Sequence, residues 1–170
     1  MEKAIKYINN SKVIILGLVF CLVSCEKNKE RQILLKNNIN SENTILFTYN
    51  SNGIESILTT SENGQLYKSK DYLVKKEDGY YEDVDLVNND SIRNYKKVLV
   101  KYKYDYSHEI PMPMPSFDGH VNVSIREIEP DRYLYTSKSG DTGIRFFYDG
   151  NYKIYKVVRI LSPKDSLIYE

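Results

Sequence analysis

Lys97-Val98-Leu99-Val100-Lys101-Tyr102-Lys103-Tyr104-Asp105-Tyr106 is the stretch whose reading decides the fold. Val98, Val100, Tyr102, Tyr104 and Tyr106 fall on every second position, while Lys97, Lys101, Lys103 and Asp105 take the other phase beside Leu99. An extended chain points alternate side chains to opposite faces, so this stretch predicts a half-buried strand. The same period extends outward. Val121, Val123 and Ile125 alternate with Asn122, Ser124 and Arg126, and Ile144, Phe146 and Tyr148 lead into Asp149-Gly150 and on to Tyr152 and Ile154.

Punctuation between these segments is of one kind. Five of the eight glycines follow Asn or Asp, at 52–53, 63–64, 78–79, 118–119 and 149–150. That dipeptide favours the positive φ angles of two-residue hairpin turns, which join antiparallel neighbours. Strands are expected near 44–49, 54–60, 65–76 with a break, 80–87, 95–106, 119–128, 132–137, 143–149, 152–161 and 166–169. No amphipathic helical pattern longer than three turns follows residue 40, so helices cannot cover the sheet and it must cover itself. The expected fold is all-β, an antiparallel meander closed into a barrel or barrel-like sandwich over residues 41–170. Tyr49–Ile54 and Thr60–Gln65 share a spacing around Asn-Gly that resembles a MORN-type repeat, but two copies are too few for a solenoid.

The amino terminus carries a different signal. Lys3, Lys6 and Lys12 precede an apolar run from Val13 to Val23, whose length suits the hydrophobic region of a signal peptide and is too short to span a bilayer. The run ends in Leu22-Val23-Ser24-Cys25, which resembles the lipobox of bacterial lipoproteins at all four positions. The resemblance implies cleavage after residue 24 and a diacylglyceryl thioether on Cys25, the lipid attachment site, anchoring the protein to a membrane of the cell envelope. Residues 25–40 then read as a lipidated tether, with Ile33-Leu34-Leu35 forming a short helical turn stopped by Asn37 and Asn38. Cys21 would leave with the signal peptide, so the mature chain would have no thiol for a disulfide or a thiolate metal site.

Charge excludes other classes. With 24 basic and 23 acidic residues the net charge is +1, which offers no overall excess for nucleic acid, and no nucleic-acid partner is expected. Asp141-Thr142-Gly143 resembles the tripeptide of aspartic proteases, but Ser139-Gly140 precede it where apolar residues belong, so a hairpin turn is expected there. His108-Glu109 and Asp118/His120 flank one loop and have the residue types of an acid-base pair or a zinc site, but two histidines at that spacing carry little information and solvent-facing loop residues are expected. Glu82, Asp83, Asp85 and Asp90 lack the ligand spacing of a calcium loop. No catalytic residue, metal site or cofactor is expected.

Two surface features stand apart. In Ile110-Pro111-Met112-Pro113-Met114-Pro115-Ser116-Phe117, proline at alternate positions enforces an extended loop, and Met112, Met114 and Phe117 either lid the end of the barrel or are candidate contacts for an envelope protein partner. Asp90-Ser91-Ile92 and Asp165-Ser166-Leu167 resemble the Asp-Ser/Thr-aliphatic acceptor of envelope O-glycosylation in Bacteroidetes, which makes Ser91 and Ser166 candidate modification sites. The 16 tyrosines, with no tryptophan, suit strand positions with one wet end. The expected function is that of an outer-membrane lipoprotein acting as a non-enzymatic binding or assembly module. A small-ligand carrier is the first alternative and an envelope hydrolase using His108 or Asp141 the second.

Overall fold

The computed structural model describes residues 30–84, 94–109 and 120–170. The alternating segments become twelve strands in two six-stranded antiparallel sheets. The first contains β1 (Arg31–Lys36), β2 (Thr44–Tyr49), β3 (Gly53–Glu62), β4 (Gln65–Lys76), β5 (Gly79–Val84) and β6 (Asn94–Val100), in that spatial order. The second contains β7 (Tyr104–Glu109), β8 (His120–Glu129), β9 (Arg132–Ser139), β10 (Thr142–Asp149), β11 (Ile154–Ser162) and β12 (Asp165–Tyr169), again as consecutive neighbours. Among the described residues there is no helix. Turn chemistry accounts for the pure meander. At Asn63-Gly64 both residues take positive φ, 52° and 77°, as a two-residue hairpin requires. At Asp149-Gly150 the left-handed residue is instead Tyr152, and the Asp149 carboxylate accepts the backbone N–H of Asn151 and Lys153 at 2.8 and 2.9 Å.

The long strand expected over 95–106 is broken at 101–103, and the break carries the chain from one sheet to the other. Strict alternation would keep Tyr102 and Tyr106 in the core with Val98 and Val100, yet Val98, Leu99 and Val100 are buried in succession while Tyr102 and Tyr106 are exposed. Three consecutive buried side chains need apolar neighbours on both sides, which a corner between two layers supplies.

This corner also decides between barrel and sandwich. β6 pairs with β5 and β7 with β8, but no ladder joins β6 to β7 among the described residues. The opposite margin is pinned only at its end. Lys36 and Glu170 exchange backbone hydrogen bonds at 3.0 and 3.1 Å, and Asn38 N–H donates to the Ile168 carbonyl at 3.0 Å. The architecture is therefore a sandwich-like pair of sheets and not a closed barrel.

Residues 31–36, expected as part of a tether with a helical turn, form strand β1 along β2 from Arg31↔Tyr49 to Lys36↔Thr44. Three apolar residues cannot nucleate a helix, whereas the free edge of β2 offers a ready ladder and a buried place for Leu35. Asn37 ends the strand as a polar clamp. Its side chain is buried, its carbonyl oxygen accepts the N–H groups of Ile39 and Asn40 at 2.9 Å each, and its amide donates to the Ile168 carbonyl at 3.3 Å.

The core lies between the sheets and is rich in tyrosine. Tyr135, Tyr148 and Tyr169 are among the largest fully buried side chains, together with Ile54, Leu99, Ile125 and Ile154. Phe47 of β2 meets Phe146 of β10 edge to face with ring centroids 6.4 Å apart, and Tyr135 stacks on the same Phe146 at 5.5 Å.

Candidate functional site

A cleft of about 600 Å³ opens between the sheets where the aromatic core gives way to small and polar side chains. Its floor is Phe47, Phe146 and Tyr135, with Val98 and Ile144 beside them. Ser56 and Ser137 line it from opposite sheets, and small side chains at those points leave the space unfilled. Register places the polar wall. Phe47, Ser56 and Asp71 are cross-strand partners on β2, β3 and β4, and Leu73, Glu82 and Lys96 are partners on β4, β5 and β6. β4 leaves β5 beyond Leu73, so the wall ends there and the cleft is open to solvent.

Lys96 is the chemically distinctive residue of this cleft. Its side chain is only 14% exposed and lies 3.3 Å from a Glu82 carboxylate oxygen, with its ammonium donating to Ser137 Oγ at 3.4 Å. Burial alone would lower the pKa of this amine, but the Tyr135 hydroxyl and the Glu82 carboxylate more than offset it and hold the amine above its ordinary range. The Tyr135 hydroxyl is pushed up by burial, with Lys96 opposing the shift. The cleft therefore presents a charged ammonium at the wall of an aromatic cavity. Such a surface can hold a small amphipathic molecule, its apolar part against Phe47 and Phe146 and its polar part toward Lys96.

A second polar cluster has a structural explanation. The Asp78 carboxylate, in the turn between β4 and β5, accepts the hydroxyls of Tyr81 and Tyr102, the latter at 2.7 Å, with Lys97 Nζ at 4.0 Å. Those hydroxyls, Tyr81 first, hold its pKa below the usual carboxylate value. Tyr152 donates to the Asp78 carbonyl at 3.2 Å. Tyr102 sits in the corner and Tyr152 in the second sheet's turn, so this cluster ties both to the first sheet.

The residues singled out from sequence fall elsewhere. Cys25, Ser91, Met112, Met114, Phe117, Asp85, Asp90 and Asp118 lie outside the described residues. Ser166 is exposed on β12, opposite Ile160. Asp141 is exposed in the β9–β10 turn, the hairpin position expected of it. His120 stands opposite Glu109 on the β7–β8 ladder. Glu82 pairs with Lys96. No group of three or more His, Cys, Asp or Glu side chains with metal-binding geometry occurs among the described residues. The sequence reading missed Lys96, although a signal was present: Lys96 is in phase with Val98 and Val100 and so shares their inward face. No family model, no curated protein and no solved structure matches the chain.

Proposed function

We propose that this chain is a lipid-anchored, non-enzymatic binding protein of the bacterial cell envelope, held at the outer membrane through Cys25, and that the cleft between its sheets takes a small amphipathic ligand. The observation that carries the binding reading is the aromatic-floored cleft with the Lys96 ammonium in its wall, whose volume falls within the roughly 300–1,000 Å³ usual for small-molecule sites. The anchor rests on the Leu22-Val23-Ser24-Cys25 motif. Acyl chains contribute about 0.8 kcal/mol per buried methylene, so a multiply acylated cysteine holds a nearly neutral protein on a bilayer without help from surface charge.

The anchor is tested by Cys25→Ala, which should abolish incorporation of labelled palmitate and move the protein to the soluble fraction. Unchanged membrane association would overturn it. The cleft is tested by native mass spectrometry of the full chain extracted from its own membranes in mild detergent. A co-purifying small molecule is expected on the unsubstituted protein and should be lost from Ser137→Phe, which fills the cavity, with the melting temperature preserved. A bare mass for the unsubstituted protein, or retention of the molecule by Ser137→Phe, would count against the cleft as the site.

A further inference from the structure

A second hollow lies on the outer face of the second sheet, away from the cleft, and its composition is distinct. It encloses about 340 Å³ and is lined by Ser124, Arg126, Leu134, Thr136, Lys138 and Arg145. Register explains how three cations meet around two hydroxyls. Ser124, Thr136 and Arg145 are direct cross-strand partners on β8, β9 and β10. Arg126 is two residues from Ser124, and Lys138 two residues from Thr136, so both share that face and flank the row. Their alternates Val123, Ile125 and Tyr135 are buried on the inner face, which fixes these side chains outward.

Two carboxylates near this face are engaged by other lysines. Asp105, at the β7 end of the Ser124 row, lies 3.6 Å from Lys103, and Glu170, beyond β12, lies 3.1 Å from Lys156. Asp141 and Asp165 line an adjoining hollow that Lys138 and Arg145 also border, together with Lys164, but neither carboxylate comes within ion-pair distance of those two cations. Lys70, Lys96, Lys97 and Arg132 each have a carboxylate within 4.0 Å, whereas the side chains of Arg126, Lys138 and Arg145 make no ion pair or hydrogen bond to another described residue. Two guanidinium forks, one ammonium and two hydroxyl donors converging on a shallow hollow match an oxyanion with several acceptor oxygens.

We propose that this hollow binds a phosphate-type anion, carried either by a lipid headgroup or by a soluble phosphorylated compound. Gly143, the cross-strand partner of Lys138, adds no side chain that would shield that ammonium. The near-zero net charge of the chain does not oppose this, because segregation of charge on one face sets the local potential.

The test uses the full chain in neutral detergent, titrated calorimetrically with inorganic pyrophosphate and, separately, with micelles containing phosphatidylglycerol or phosphatidylcholine. Saturable binding to pyrophosphate, to phosphatidylglycerol micelles or to both is expected, with none to phosphatidylcholine. Pyrophosphate alone assigns a soluble ligand, and phosphatidylglycerol alone a headgroup. The triple variant Arg126→Gln/Lys138→Gln/Arg145→Gln should bind at least about tenfold more weakly, and rising salt should weaken the unsubstituted protein. Lys36→Gln/Lys68→Gln/Lys75→Gln removes the same charge from exposed positions of the first sheet and should keep its affinity. If the triple variant melts early, Arg126→Gln, at an exposed position, replaces it. No saturable binding to either anionic probe, or equal losses in the two triple variants, would overturn the proposal, and neither result bears on the cleft.

Discussion

Tyr148→Phe should lower the unfolding free energy by about 2–4 kcal/mol, a large effect for the loss of one oxygen atom. The Tyr148 hydroxyl is buried against the last residue of β6, donating to the Val100 carbonyl at 2.6 Å and accepting the Val100 N–H at 3.2 Å. Val100 sits opposite Gly79 on β5, and both of its backbone polar groups turn away from that ladder toward the second sheet. Phenylalanine would leave a donor and an acceptor unpaired in a fully buried place, each costing about 1–3 kcal/mol. Chemical denaturation of both proteins measures the difference. Tyr67→Phe is the control, since the Tyr67 hydroxyl is exposed and among the described residues reaches only Gln65, and it should stay within about 0.5 kcal/mol of the unsubstituted chain. A Tyr148→Phe protein equally close would remove the role given to this hydroxyl. Burial raises the Tyr148 pKa and takes that of Tyr49 to about 12, so both favour the neutral form in the folded state. The stability they contribute is full below the ordinary tyrosine pKa of about 10 and is lost as pH climbs above it, so alkaline unfolding should be less steep in Tyr148→Phe.

Gly79→Ala should be more damaging still, costing about 3 kcal/mol or more and abolishing cooperative folding in a marginal background. Gly79 opens β5 at φ 154°, and a methyl group there would run into the Leu99 carbonyl and come within 2.9 Å of Val100 Cγ1. Both neighbours are fully buried in the corner, so the backbone has nowhere to move. Gly64→Ala provides the comparison. Its φ of 77° strains any other residue, but no atom lies within 4 Å of the added carbon, and a loss of about 1 kcal/mol is expected. Thermal melts of the two variants should therefore separate clearly. A Gly79→Ala protein no less stable than Gly64→Ala would show that the corner is looser than its packing implies.

Both variants report on the one region where local pattern and tertiary structure part company. Across the meander, period-two alternation and Asn-Gly or Asp-Gly turns were enough to place β2, β3, β8, β9, β10 and β11 near their observed positions. Each depends on neighbours along the chain. Through residues 98–100 the alternation fails because the corner buries both faces, and that burial comes from Tyr148 and Gly79, distant in sequence. β1 was hidden for a related reason. Ile33-Leu34-Leu35 is too short to announce a strand, and it becomes one because the edge of β2 is there to pair with it.

The two sites divide along the same line. The inward position of Lys96 was readable from its phase with Val98 and Val100, but the Glu82 and Ser137 that receive its charge come from another strand and from the opposite sheet. Arg126, Lys138 and Arg145 look like scattered cations in a chain of near-zero net charge. Alternation by itself determined which face of each strand they occupy. Only the pairing register of β8, β9 and β10 decided that they share one hollow, while Asp105 and Glu170 pair with other lysines. Alternation follows from backbone geometry at each residue, whereas register and sheet packing come from long-range hydrogen bonding and burial, which bring residues together regardless of their separation in the chain.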